Sequence, residues 1–144
     1  MNSCSVALVV SDFNSEITSI MLSTAKKRLA ELHAAVAFEV HVPGAYEIPL
    51  AVSKAIAKDE VDGVIALGAV LKGGTDHDQV IAHGVAQKLL DISVSAGKPV
   101  ALGIIGPNVT PDQARERQKA YARHAAETVV TMIASVSERW PKKS

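Results

Sequence analysis

Cysteine, aromatic side chains and net charge are all scarce in this chain of 144 residues, and each shortage removes a class of protein. A single cysteine, Cys4, cannot build a disulfide framework and fits a reducing compartment, so the chain is read as cytoplasmic. Aromatic residues make up only 3% against 48% hydrophobic, which leaves the core to Ala, Val, Ile and Leu. Such small aliphatic side chains suit close packing of helices on a sheet. Fifteen basic and fifteen acidic residues cancel, and no basic stripe with interleaved aromatics offers a nucleic-acid surface. Long apolar runs are missing too. Val6 to Val10, interrupted by Asp12, is too short for a secretory signal, and nothing approaches the roughly 20 apolar residues of a membrane span. Without repeats, linkers or low-complexity stretches, residues 1–144 are expected to form one domain.

What is present is an alternation. Ser5–Val10 is apolar on both faces and β-branched, the pattern of a buried parallel strand. A helix is expected from Glu16 to Leu32, where Ile17, Ile20, Met21, Ala25 and Leu29 recur at helical spacing. Ala35–Val42 reads as a strand ended by Pro43-Gly44, with a helix from near Glu47 to Lys58. Val64–Val70 is a third strand, Asp78–Ser95 a helix closed by Gly97-Lys98-Pro99, and Val100–Ile105 a fourth strand. Pro111 opens a last helix reaching about Val136, and the tail from Arg139 to Ser144 is polar and expected to fray. Strands alternating with helices imply right-handed βαβ units and a parallel sheet covered on both faces. Ligands of such sheets gather beyond the carboxyl ends of the strands, where the unusual loops of this chain all fall.

The stretch Gly68–His83, GAVLKGGTDHDQVIAH, is the most informative of them. A strand, a Gly73-Gly74-Thr75 turn and a helix start make an anion site, because the first N–H groups of a helix lack partners and the dipole adds positive potential. The same turn also serves many α/β domains simply as a connection, and it matches neither a P-loop nor a dinucleotide fingerprint. His77 stands beside it, either as an exposed helix-start histidine or as a proton shuttle. Phe13 either folds back on the core or stacks on a planar ring; Asn14 is a turn or helix cap, or a ligand contact. Glu47 is a first-turn acid complementing a helix dipole or an acceptor for ligand hydroxyls. Lys72 reads as a solvated charge or a phosphate contact. Arg117 pairs with Asp112 or Glu116, or binds phosphate. His77 and His83 lie six residues apart, on different helix faces, and His33, His41 and His124 have no acidic or cysteine companions at metal spacing, so no metal is expected.

Taken together the loops SDFN, VPGAYEIPLAV, ALGAVLKGGTDHD and KPVALGIIGPNVTPDQARER resemble the lumazine synthase (6,7-dimethyl-8-ribityllumazine synthase) family, in its order and over nearly the whole chain. The GIIGP form of the last loop is similar to the archaeal-type branch. The resemblance implies a flavodoxin-like three-layer α/β/α sandwich with a central four-stranded parallel sheet. It implies self-association into pentamers, or an icosahedral shell of pentamers, with active sites between subunits, and neither a cofactor, a nucleic acid nor a membrane. It further implies condensation of 5-amino-6-(D-ribitylamino)uracil with 3,4-dihydroxy-2-butanone 4-phosphate. Phe13, with Asn14 beside it, would stack on the pyrimidinedione. Ala45, Tyr46 and Glu47 would line the ribityl pocket, and Ala69, Val70 and Leu71 would hold the ring edge. Gly74, Thr75 and Arg117 would bind the phosphate, with His77 as proton donor and Leu102 at a neighbouring subunit's edge. This chain departs from the family at Asp78, where an aromatic is usual, at Leu102, where Phe is common, and at Ala125, where bacterial relatives carry a lysine that Lys72 could offset. A non-catalytic shell or flavin-binding protein, and an archaeal-type riboflavin synthase, are the alternatives on the same fold.

Overall fold

The computed structural model describes residues 4–139, so the expected frayed tail lies outside the described residues save for the backbone of Arg139. In chain order the elements are β1 (Ser5–Ser11), α1 (Ser15–Glu31), β2 (Ala35–Val42), a 3-10 turn (Ala45–Glu47), α2 (Ile48–Ile56), β3 (Gly63–Ala69), α3 (His77–Ala96), β4 (Val100–Ile105) and α4 (Pro111–Ala134). A π turn, Ser135–Arg139, follows α4. The second and fourth strands have the expected bounds. The helix expected from Glu47 to Lys58 is shorter: Ala45–Glu47 winds into a tighter turn, and α2 then starts with Pro49 in its first turn, where a missing N–H costs nothing.

All four strands run parallel in the order β2-β1-β3-β4. From β1 the chain steps one way to β2 and then crosses to the other side for β3 and β4, which puts the topological switch point between the ends of β1 and β3. Every residue of β3 and all but the first of β1 are buried, as unbroken apolar runs demand of central strands. Along β1, Val6, Leu8 and Val10 meet Ile17, Met21 and Leu29 of α1 and the alanine face of α4, Ala122 and Ala126. Ala7 and Val9 point the other way, to Ile48 and Val52 of α2, in the same apolar cluster as Val85 and Leu89 of α3. The result is three layers with two helices on each face.

Registers pair Ser11 with Val42 and Ala69 with Ile105, so the four carboxyl ends stop level and their loops share one rim. Among the described residues no helix is long and apolar enough to cross a membrane.

Candidate active site

A cleft of about 550 Å³ opens on that rim at the switch point, above α2 and α3. The loop after β1 brings Phe13 and Asn14, the turn after β2 brings Ala45, Tyr46 and Glu47, and the end of β3 brings Ala69, Val70 and Leu71. Thr75, His77 and Asp78 close it from the start of α3. Phe13 is 71% exposed and Tyr46 75%, so two of the few aromatic rings in the chain stand in solvent rather than in a core built of small aliphatics. The choice left open for Phe13 is thereby decided: its ring does not fold back on the core.

Asn14 occupies the position before α1 in a left-handed conformation (φ 65°), but its side chain does not cap the helix. Its Nδ2 instead donates to the carbonyl of Ala69 at 3.1 Å, joining the loops after β1 and β3 across the switch point. The Val70 N–H donates to Ile105 and the Lys72 N–H to Val109. Of the three peptides at the end of β3, Leu71 is therefore the one whose N–H has no partner among the described residues.

Glu47 is exposed and its carboxylate accepts no hydrogen bond among the described residues. A side chain at Gly44 would put its Cβ 3.2 Å from Glu47 Oε1, so a small residue there keeps the carboxylate in place.

The start of α3 is bare. Asp76 stands at the N-cap position without a capping bond, and Thr75 Oγ accepts the His77 N–H at a long 3.3 Å. The amides of Gly73, Gly74, Thr75 and Asp76 donate to nothing among the described residues. These are the groups with which a helix N-terminus holds an anion. His77 is the first residue of α3, exposed, and lines the cleft. Lys72 lines the same wall.

Asp78 behaves differently from its neighbours. It is 7% exposed, and its Oδ2 accepts the backbone N–H of Asn108 at 2.9 Å. Sequence reading marked Asp78 only as a departure from a family pattern. The signal that could have placed it is helical phase: Asp78 heads the buried stripe Ala82, Val85 and Leu89 of α3 and so must face inward.

Three expected site residues stay outside the cleft. Gly74 sits on the arch between two lining residues, Gly73 and Thr75, with open space around it. Leu102 is 53% exposed on the open edge of the sheet, in register with Ala66, hence ~10 Å down the strand direction from Ala69. Arg117 is exposed on α4, in the opposite layer. The acids expected to pair with it do not: Arg115 takes Asp112 at 2.8 Å and Glu16 at 3.2 Å, and Arg117 has no ion pair among the described residues.

One expectation needs correcting. His41 does have acidic companions: its Nδ1 lies 3.0 Å from Asp12 and its Nε2 2.8 Å from Glu39, which also pairs with Lys26 at 2.7 Å. Glu39 stands two places back on the same face of β2, a pairing that strand periodicity allows, whereas Asp12 arrives from the neighbouring strand end, which sequence spacing does not show. Both carboxylates favour the imidazolium, Glu39 more strongly, and raise the His41 pKa. Lys26 and then His41 lower that of Glu39. Among the described residues no group of three or more His, Cys, Asp and Glu side chains is placed to hold a metal ion.

Comparison with known proteins agrees with these loops. The family model described as 6,7-dimethyl-8-ribityllumazine synthase matches residues 3–137. Proteins so named from Pyrobaculum arsenaticum and Staphylothermus marinus are 49% and 48% identical, over 88% and 89% of this chain and 85% of each relative. One from Methanopyrus kandleri is 46% identical over 96% of this chain and 97% of its own length. The chain belongs to the 6,7-dimethyl-8-ribityllumazine synthase family, with archaeal members among its relatives.

Proposed function

We propose that this chain, acting as one domain, is a transferase that condenses 5-amino-6-(D-ribitylamino)uracil with 3,4-dihydroxy-2-butanone 4-phosphate to 6,7-dimethyl-8-ribityllumazine, releasing phosphate and water. The observation that carries the reading is the meeting, in one cleft at the switch point, of an exposed ring, an unpaired carboxylate, an arch of free amides and an imidazole. Phe13 stacks on the pyrimidinedione. Glu47, with Ala45 and Tyr46, accepts the ribityl hydroxyls. Leu71, whose N–H has no partner among the described residues, binds the ring edge with Ala69 and Val70, while Asn14 joins the loops through its Nδ2 and lines the cleft beside them. Gly74 and Thr75 hold the phosphate.

In the first step the ring amine adds to the ketone carbonyl and loses water to form an imine. Phosphate then leaves, and the ribitylamino nitrogen closes the second ring with loss of water. Each stage moves protons, and His77 is the side chain at the phosphate arch suited to donate and accept them. The remainder is the advantage of holding two reactants in contact. Mixing the two substrates with the protein should generate the lumazine absorbance; a chain that instead consumes lumazine, or gives no product, defeats the reading.

Self-association completes the site. Leu50, Val80, Leu90 and Val94 are 61–76% exposed on α2 and α3, apolar side chains that a second copy could cover. A groove of about 810 Å³ between these helices shares Tyr46, His77 and Ile81 with the cleft, so a second copy seated there abuts the site. Pentamers, alone or closed into a shell, would let a neighbour deliver Leu102 and the unpaired Arg117. Co-assembling His77→Ala with Arg117→Ala subunits should raise product formation well above that of either variant alone; no complementation would mean each chain uses its own Arg117. These assemblies would work in the cytoplasm.

A further inference from the structure

The arch between β3 and α3 stands on two feet, and both rest on the same place. Lys72, at one end, donates its N–H to the carbonyl of Val109 at 2.8 Å. Asp78, at the other, accepts the N–H of Asn108 at 2.9 Å. Asn108 and Val109 are consecutive residues of the β4–α4 loop, so both ends of the arch are tied to one short piece of backbone. Between the feet, the amides of Gly73 to Asp76 have no partners among the described residues, and neither glycine is crowded by them. A flexible glycine arch binds an anion well only when its amides converge, and here nothing within the arch makes them do so.

We propose that Asp78 is a positioning residue that fixes the width of the arch, and through it the affinity for the phosphate group of the ketone substrate; this rests on the phosphate reading above. The first foot is a backbone bond that any sequence makes, whereas the second depends on this side chain. A carboxylate in the first turn of α3 would by itself repel a phosphate dianion. Asp78 is buried and directs an oxygen to Asn108, so its charge is engaged away from the open amides. What the site needs from position 78 is therefore an inward acceptor oxygen, not a negative charge. Asn108 is held in the left-handed region (φ 63°), a conformation asparagine tolerates.

The test compares Asp78→Ala, which removes the acceptor, with Asp78→Asn, which keeps an oxygen and loses the charge. Asp78→Ala should raise the KM for the ketone phosphate and the inhibition constant of inorganic phosphate by about tenfold. Its kcat should stay within about threefold, and the KM for the ribitylaminouracil should not move. Asp78→Asn should return both phosphate constants to within about threefold of the parent, or bind phosphate more tightly. Equal rises in both KM values, unchanged phosphate constants in Asp78→Ala, or an Asn variant as weak as the Ala variant would each overturn the proposal. If Asp78→Ala fails to fold, hydrogen–deuterium exchange on the parent protein decides: the Asn108 amide should be protected, and fast exchange there overturns the tie. That last measurement stands even if the protein makes no lumazine, so the failure of the tie and the failure of the enzymatic reading are separable.

Discussion

Two helices begin on the same rim, and they begin in opposite ways. Thr110, ahead of α4, accepts the Gln113 N–H at 3.2 Å while the Gln113 side chain accepts the Thr110 N–H at 3.0 Å, and Pro111 follows with no N–H to satisfy. That helix closes its own end with its own side chains. The start of α3 carries Asp76 without a capping bond and a run of amides with no acceptor. One junction is finished for stability; the other is left unfinished, and an anion would finish it. An uncapped helix end costs about 1 kcal/mol, and this contrast is what the proposed phosphate site rests on.

The comparison can be broken hardest at the open end. His77→Ala should lower kcat about 100-fold or more with assembly unchanged, since a positioned acid–base group contributes at least that much; turnover and sedimentation together check it. Gly106→Ala strikes the closed side. At φ 111° a Cβ there would collide with the Val70 carbonyl, so unfolding free energy in urea should fall by at least about 2 kcal/mol.

Smaller effects sharpen the contrast. Thr110→Ala should cost about 1 kcal/mol of stability and leave phosphate affinity alone, whereas Thr75→Ala should weaken phosphate binding and leave the melting temperature alone. A swap of those two outcomes would reverse the assignment of the two ends. Smallest is the pH dependence of the His41 clasp. Its folded pKa lies above the ordinary 6.5, so the stabilisation is complete below pH 6.5 and is lost as pH rises through the higher folded value. The pair is half exposed, so the loss should be no more than about 0.5 kcal/mol. His41→Gln should flatten that part of the melting profile between pH 6 and 9.

Layers, strand bounds and most of the cleft were legible in the sequence because they depend on periodicity and on loop chemistry within a few residues. Ala35–Val42 and Val100–Ile105 are strands over those spans, and the loops beyond Val10, Val42 and Leu67 do meet. Partner choice was not legible. Asp112 pairs with Arg115, its i,i+3 neighbour, and not with Arg117 at i,i+5 on another face, but that Arg115 also reaches Glu16 on α1, 99 residues away in sequence, was hidden. Asn14 reaches Ala69 and Asp78 reaches Asn108 across gaps of 55 and 30 residues. Spacing along one element says nothing about such meetings, which are settled when layers pack.

The amide of residue 14 leaves a distinct mark on how the protein greets its substrates. Because it bolts the β1 lip to the carbonyl at the end of β3, the aperture of the mouth is set by the fold itself, and a flat heterocycle would enter a slot rather than mould one. An aspartate in its stead would confront that carbonyl with a second acceptor, and the two lips would spring apart.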